Sequence, residues 1–137
     1  MSGVLLDTNV LSEVVRKNPS SSVMARLRAV AAEDLYTSSI CVMELRAGAV
    51  RRGGEALWAR IRRAALSRVQ ILPVGEEEAM VAGDVLASLL ARGQPIGIED
   101  VLIGATALAR GLPVATRNAK RLARLDGLVV EDWFRQG

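Results

Sequence analysis

The amino-acid sequence predicts an α/β protein in which helices cover both faces of a central parallel sheet. Short apolar runs alternate along the chain with longer segments whose apolar residues recur at helical spacing. Strands that alternate with helices in this way form parallel sheets, because each helix returns the chain to the same end of the sheet. The length of 137 residues and a hydrophobic share of 50% fit one domain with a sizeable core, so we expect a single domain over residues 1–137.

Five segments are predicted as strands. The first, Val4–Leu6, is too short for a helix and is followed at once by the polar residues Asp7, Thr8 and Asn9. The fourth, Val114–Thr116, is also followed by polar residues. The other three predicted strands are residues 35–37, 69–74 and 128–130.

Helical spacing predicts a helix in most of the intervals between these strands. The predicted helices follow residue 7, the serines at 20–22, residues 38–41, the glycine pair 53–54, the acidic run 76–78, the break at 93–97 and the fourth strand. The segment 99–108 is apolar nearly all round, which indicates a buried helix. Apolar residues on the first two helices serve either a partner surface or ordinary core packing, and the two interpretations are equal at this point: Val14, Val15, Val23 and Leu27.

The composition excludes several kinds of chemistry. The chain has no histidine, which excludes Ser-His-Asp triads, histidine general bases and the usual zinc sites. The single cysteine, Cys41, cannot form an internal disulfide, which fits a reducing cytoplasm. No apolar run reaches the length of a membrane span, and because the N-terminus leads directly into the first strand we expect no secretory signal.

The basic residues are nearly all arginine. The net charge is +3, and Lys17 and Lys120 are the two lysines among 18 basic residues. Arginine forks match the geometry of phosphate, although a charge this small is weak evidence for nucleic acid by itself. Candidate phosphate contacts are Arg16, Arg51, Arg52 and Arg117.

Three positions carry acids whose structural explanations are imperfect. Asp7 ends a strand, where ligands of α/β proteins bind, but it equally suits the N-cap of the next helix. Glu44 stands three residues after Cys41, the spacing of a capping box in which cysteine replaces serine or threonine poorly. Asp100 and its neighbour Glu99 open the most hydrophobic helix, and the residues alone do not decide between them.

Together these acids predict a site for a hard divalent cation. Carboxylates gathered in one pocket repel each other unless a cation is present. Oxygen ligands without histidine or cysteine suit Mg²⁺ or Mn²⁺ rather than zinc. Because such ions activate water and hold a phosphodiester for in-line attack, the hypothesis is metal-assisted phosphodiester hydrolysis.

Four motifs in order resemble those of the PIN-domain ribonucleases, and more narrowly the VapC and FitB toxins of toxin–antitoxin pairs. They are LLDTNVLSEVVR, SSICVMELRAG, GQPIGIEDVLIGATALA and LPVATRN, and the resemblance covers the whole chain. The resemblance implies a PIN-like three-layer fold with about five parallel strands and a Mg²⁺ or Mn²⁺ site. It implies Asp7, Glu44 and Asp100 as catalytic metal ligands, which selects Asp100 over Glu99.

The same resemblance implies supporting polar residues and partners. Thr8, Asn9 and Thr116 match polar positions that support the site. The implied protein is a cytoplasmic endoribonuclease toxin that cuts RNA, is silenced by a cognate antitoxin, and forms a homodimer or a toxin–antitoxin hetero-oligomer. Operator DNA would be contacted only through the antitoxin, and no membrane is involved.

The sequence departs from the family pattern at the fourth acid. The family supplies this acid after the fourth strand, where the present chain has Asn118 and Arg121. Asp126 is followed by glycine and is predicted to lie in a turn. Asn118 is therefore expected to support the site as a neutral ligand, and binding of one or of two metal ions stays open.

Two other functions remain as alternatives. A PIN-fold module that binds RNA or a protein without cutting would explain the missing acid. An aspartate-phosphorylating fold with Asp7 as nucleophile fits less well, because Asn9 replaces the second acid of such phosphatases and Arg117 follows the fourth strand where receivers need a lysine.

Overall fold

The protein folds around a five-stranded parallel sheet with the strand order β3-β2-β1-β4-β5. A computed structural model describes residues 3–135. All strand pairs that it contains are parallel, as the sequence predicts. The strands are β1 Val4–Leu6, β2 Leu35–Ser38, β3 Gln70–Leu72, β4 Val114–Thr116 and β5 Val130–Asp132.

Seven α-helices over the described residues cover the sheet. They are α1 Thr8–Val14, α2 Ser21–Ala29, α3 Ser39–Arg52, α4 Gly54–Ile61, α5 Glu76–Ala91, α6 Ile98–Arg110 and α7 Ala119–Leu122. Every residue of β1 and β4 is buried. Because successive residues of a strand point to opposite faces, helices must cover both faces of the sheet, which gives the predicted three layers.

The fifth strand lies two residues later than predicted. The sequence predicts it at residues 128–130, whereas β5 is Val130–Asp132. Leu128 instead packs beside the apolar cluster of α5 and α6, directly after the turn at Asp126 and Gly127. The strand residues are half-buried, so β5 lacks the apolar signal of a central strand.

The first residues of α3 correct the capping interpretation of Cys41. Ser38 is the N-cap, and its Oγ accepts a hydrogen bond from the backbone N of Ile40 at 3.0 Å. Cys41 therefore lies inside the first turn and Glu44 a turn further on. No capping box joins them, so helix capping does not explain the acid at Glu44.

The order in which the chain adds strands to the sheet reverses between β1 and β4. The chain leaves β1 for β2 and β3 on one side and later returns to β4 on the other side of β1. Open α/β sheets bind ligands at such a switch point, outside the carboxyl ends of the strands. Asp7 follows β1 and Thr116 ends β4, so both lie at this point.

The early apolar residues pack against the core, which favours the interpretation as ordinary core packing. Val23 is fully buried, and Val14, Val15 and Leu27 are partly buried against the same core. Val23 and Leu27 are four residues apart on α2, so they face this core together. Large apolar side chains that are exposed lie elsewhere: Met43, Val50, Ile71, Met80, Leu90, Ile98 and Val129. Over residues 3–135, no helix combines the length and the apolar character needed to cross a bilayer.

Gly104 allows α6 to approach the segment that follows α7. A Cβ atom at this position would overlap Cδ2 of Leu125, which is itself buried. We expect Gly104→Val to lower the free energy of unfolding by about 1–3 kcal/mol, as overpacking of a filled core does. Urea unfolding followed by circular dichroism measures this change.

Gly83 provides the matched control. It lies in α5, and a Cβ atom there would meet nothing within 4 Å. Gly83→Ala should therefore raise the free energy of unfolding by about 0.4–1 kcal/mol, because alanine restricts the unfolded chain. Equal destabilisation by both variants would contradict the close approach at Gly104.

Candidate active site

Asp7 is a buried carboxylate at the centre of the site. It is 3% exposed, and its Oδ1 accepts a hydrogen bond from the backbone N of Thr8 at 2.7 Å. Its Oδ2 accepts one from Oγ1 of Thr116, also at 2.7 Å. The residue thus caps α1, as one interpretation predicts, and it also lines the cavity, so its role as a ligand stays a prediction.

Glu44 is brought beside Asp7 by α3. Oγ1 of Thr8 donates a hydrogen bond to Oε1 of Glu44 at 2.5 Å. Ligand atoms of Asp7, Glu44 and Cys41 all lie within 4.8 Å of one another. Thr8 therefore links two acids that are 37 positions apart in the chain, one through its backbone and one through its hydroxyl.

Asp100 faces the same cavity from the first turn of α6. The cavity holds about 920 Å³ and is lined by both Glu99 and Asp100. Asp100 lies outside the group of ligand atoms within 4.8 Å. Its side chain is 16% exposed and lies 3.4 Å from Arg121, measured from Oδ2 to Nε, whereas Glu99 is exposed. The greater burial of Asp100 agrees with its selection over Glu99.

Thr116 is the centre of a hydrogen-bond network that fixes the supporting residues. Its Oγ1 accepts from the backbone N of Asn118 at 2.8 Å and from Nδ2 of Asn9 at 3.5 Å. Oδ1 of Asn9 in turn accepts from the backbone N of Arg117 at 3.0 Å. Asn118 therefore supports Thr116 through its backbone, and it also lines the cavity.

Asp126 and Arg121, which both follow the fourth strand, differ in their position relative to the cavity. Asp126 is 85% exposed and lies 3.7 Å from Arg92, which leaves it outside the cavity, as the predicted turn requires. Arg121, in contrast, lines the cavity and contacts one of its acids. The positive charge of Arg121 thus lies beside Asp100, at one of the two positions where the family pattern has its fourth acid.

Sequence reasoning missed Glu13, a further buried acid that lines the cavity. It is 4% exposed, and its Oε2 accepts a hydrogen bond from the backbone N of Ser20 at 2.8 Å. Its Oε1 lies 3.4 Å from Nη1 of Arg16 and 3.6 Å from Nη2 of Arg117. The available signal was its place on the apolar stripe of α1, three residues after Val10.

Arginines surround the acids. All four arginines predicted as phosphate contacts line the cavity, together with Arg121: Arg16, Arg51, Arg52 and Arg117. The guanidinium of Arg117 also lies 3.9 Å from the ring centre of Phe134, which fixes its side chain against an aromatic face. The site therefore combines an acidic floor with a basic rim.

Burial raises the carboxyl pKa of all three acids. For Asp7, hydrogen bonds from Thr116 and Thr8 offset part of the effect of burial on the pKa, and the nearby charge of Asp100 adds to it. For Glu44, burial raises the pKa most and the charges of Asp7 and Asp100 contribute. For Asp100, burial raises the pKa and Arg121 opposes the rise. Burial and mutual repulsion disfavour the negative charges of these carboxylates, and a bound cation would offset both effects.

Cys41 adds no metal ligand to the three acids. It is fully buried, and burial raises the pKa of its thiol to about 11. A protonated thiol is a poor metal ligand, so at neutral pH the donors near Asp7 are oxygen atoms. Such a donor set fits Mg²⁺ or Mn²⁺.

The raised pKa of Asp7 predicts how pH affects stability without metal. A carboxyl whose pKa rises on folding binds its proton more tightly in the folded state, so the wild type loses stability as pH rises from its ordinary pKa of about 4. Asp7→Asn removes this loss. In EDTA, its thermal midpoint should exceed that of the wild type by a margin that grows as the pH rises above about 4.

Differential scanning fluorimetry in EDTA checks the growth of this margin. Asp84→Asn is the control, because Asp84 is an exposed acid of α5 that does not line the cavity. A margin that shrinks as pH rises would show that the Asp7 pKa is not raised.

The fold and the site define an α/β protein whose carboxylate cluster, at the switch point of a parallel sheet, is suited to a divalent cation. The model of the PIN domain family matches residues 4–128. The chain belongs to the PIN domain family, which confirms the resemblance drawn from its motifs and replaces the interpretation as an aspartate-phosphorylating fold.

Sequence similarity to two characterised proteins covers nearly the whole chain. Toxin FitB of Neisseria gonorrhoeae is 35% identical over 136 residues, which cover 95% of this chain and 98% of FitB. The tRNA(fMet)-specific endonuclease VapC of Salmonella typhimurium is 30% identical over 129 residues, which cover 94% of this chain and 96% of VapC.

A solved structure shows the same fold. The crystal structure of DNA-bound VapBC from Salmonella typhimurium contains a chain that superposes with a TM-score of 0.88. That chain is 30% identical, and the match covers 97% of this chain and 99% of the other.

Proposed function

We propose that this protein is an endoribonuclease toxin that hydrolyses RNA phosphodiester bonds with Mg²⁺ or Mn²⁺. The observation that carries the proposal is the arrangement of Asp7, Glu44 and Asp100 on one cavity at the switch point. The names of its relatives, a toxin and a tRNA-specific endonuclease, support the same activity.

Asp7, Glu44 and Asp100 would hold the cation. When bound, a divalent cation supplies an activated water and stabilises the charge on the phosphate oxygens. Thr8 and Thr116 fix both oxygens of Asp7 by hydrogen bonds, so that the carboxylate needs little reorganisation. The arginines at the rim would bind the RNA backbone next to the reacting phosphate.

The proposed partner is a cognate antitoxin protein. The support is the family relation to Toxin FitB and the likeness to a chain of the DNA-bound VapBC structure. An antitoxin would cover the cavity and connect the complex to operator DNA, which this chain would not contact directly. Copurification from the native host followed by mass spectrometry tests whether such a partner is present.

A non-cleaving PIN module that binds RNA is the second candidate. The specific observation in its favour is that Arg121 contacts Asp100 and lowers the negative charge of the site. Incubation of purified protein with structured RNAs, tRNA among them, separates the candidates. New discrete fragments that depend on added Mg²⁺ or Mn²⁺ support the endoribonuclease, whereas RNA binding without fragments supports the module.

A further inference from the structure

Arg121 differs from the other arginines of the cavity in the acid that it contacts. Arg16 and Arg117 both contact Glu13, which is not one of the three acids that would hold the cation. Arg121 contacts Asp100 at 3.4 Å, and its positive charge acts on Asp7 as well. It is therefore the arginine that lies closest to the carboxylates that would hold a cation.

The surrounding structure fixes the backbone of Arg121 but leaves its side chain room to move. The next residue, Leu122, is fully buried and anchors α7 in the core. The arginine side chain is 51% exposed and points into the cavity that it lines. Its Nε contacts Asp100, while the two terminal nitrogens of a guanidinium carry four more donors.

We propose that Arg121 is a resident counter-ion of Asp100 that competes with the divalent cation and, once displaced, binds the reacting phosphate of RNA. The inference rests on the proposed function. A cation that takes Asp100 must break or weaken the pair with Arg121, because two positive charges then face one carboxylate. The freed guanidinium needs an anion, and a phosphate in the same cavity is one that it matches in geometry.

This arrangement links metal binding to RNA binding. Both ligands require Arg121 to separate from Asp100. Bound metal frees Arg121 for the phosphate, and bound phosphate holds Arg121 away from Asp100, so each ligand lowers the free energy that the other needs for this separation. Linkage of this kind is reciprocal, so RNA would strengthen metal binding by the same factor as metal strengthens RNA binding.

The decisive variant is Arg121→Gln, and its first measurement uses Mn²⁺ alone. Electron paramagnetic resonance of free Mn²⁺ gives the affinity of the RNA-free protein. Loss of the competing charge should tighten Mn²⁺ binding by about threefold to tenfold. Arg121→Lys keeps the charge and should stay within about twofold of the wild type.

Lys120→Gln is the matched control. Lys120 is the neighbouring residue of α7, carries the same charge, is exposed and does not line the cavity. This variant should leave both Mn²⁺ affinity and RNA cleavage within about twofold of the wild type. An equal effect of Lys120→Gln would show that net charge, and not the position of Arg121, sets the affinity.

The second measurement is RNA cleavage at saturating Mn²⁺. Arg121→Gln should lower kcat/KM by about tenfold although it binds Mn²⁺ more tightly, because the phosphate has lost its guanidinium. Opposite changes in metal affinity and cleavage are a result that simple damage to the fold would not produce. Unchanged Mn²⁺ affinity in Arg121→Gln, or no Mn²⁺ binding by either protein, overturns the inference, and so does faster cleavage by this variant. A wild type that binds Mn²⁺ but cuts no RNA rejects the proposed function instead, and the competition for Asp100 is then decided by the Mn²⁺ titration.

Discussion

Replacement of Asp7 by asparagine should abolish the proposed RNA cleavage and the growth arrest expected on expression of the wild type. The amide keeps the shape of the carboxylate, and its single oxygen can still accept the hydrogen bond from the backbone N of Thr8, while its NH2 group would face Oγ1 of Thr116 as a donor. It removes the negative charge, so both cation binding and stabilisation of the transition state are lost. We expect kcat/KM to fall by about a thousandfold or more, equal to about 4 kcal/mol of transition-state stabilisation.

The fold of the Asp7→Asn protein should be intact, so the loss is chemical. Cleavage of tRNA by purified protein, and growth after induced expression at matched protein levels, measure the effect. Asp84→Asn changes an exposed carboxylate outside the cavity and should leave both measurements as in the wild type. Normal growth arrest by Asp7→Asn at wild-type levels would rule out hydrolysis through this site.

Chelation should remove all RNA cleavage, and added Mg²⁺ or Mn²⁺ should restore it. The donors at the proposed site are carboxylate oxygens, since the thiol of Cys41 is held protonated by its burial. Zinc in stoichiometric amounts should not restore cleavage, because no histidine is present and no thiolate is available at neutral pH.

The measurement is tRNA cleavage after dialysis against EDTA and then against metal-free buffer, with each metal added back singly. Circular dichroism of the dialysed protein serves as the control for folding. Cleavage that survives complete chelation would point to a contaminating nuclease or to a mechanism without metal.

The parts of the fold with strong local patterns followed from the sequence. The apolar run of β1 and the nearly uniform apolar character of α6 reflect burial on all sides, which is readable without knowledge of the neighbours. The edge strand β5 was misplaced because its half-buried residues carry no such pattern. The start of α3 at Ser39, with Ser38 as its N-cap, was missed because a serine before a helix and a serine within its first turn look alike in sequence.

Three of the acids that line the cavity were predicted one by one, but Glu13 and the environment of all four were not. Asp7, Glu44 and Asp100 were each conspicuous in their own segment, and the fold places them on one cavity. The pair of Arg121 with Asp100 joins residues 21 positions apart through the packing of α7 near α6. No local pattern encodes a contact of this kind, so only the assembled fold reveals it.

The buried position of Cys41 gives the protein an intrinsic reporter of its own active site. It is the single cysteine of the chain, is fully buried, and its Sγ lies 4.0 Å from Oδ1 of Asp7. A thiol reagent in solution reaches it only when the contact between α3 and the end of β1 opens. The rate of its chemical labelling therefore measures the free energy of that local opening. A cation or an inhibitory protein that holds the site closed would be detected as slower labelling, without any engineered probe.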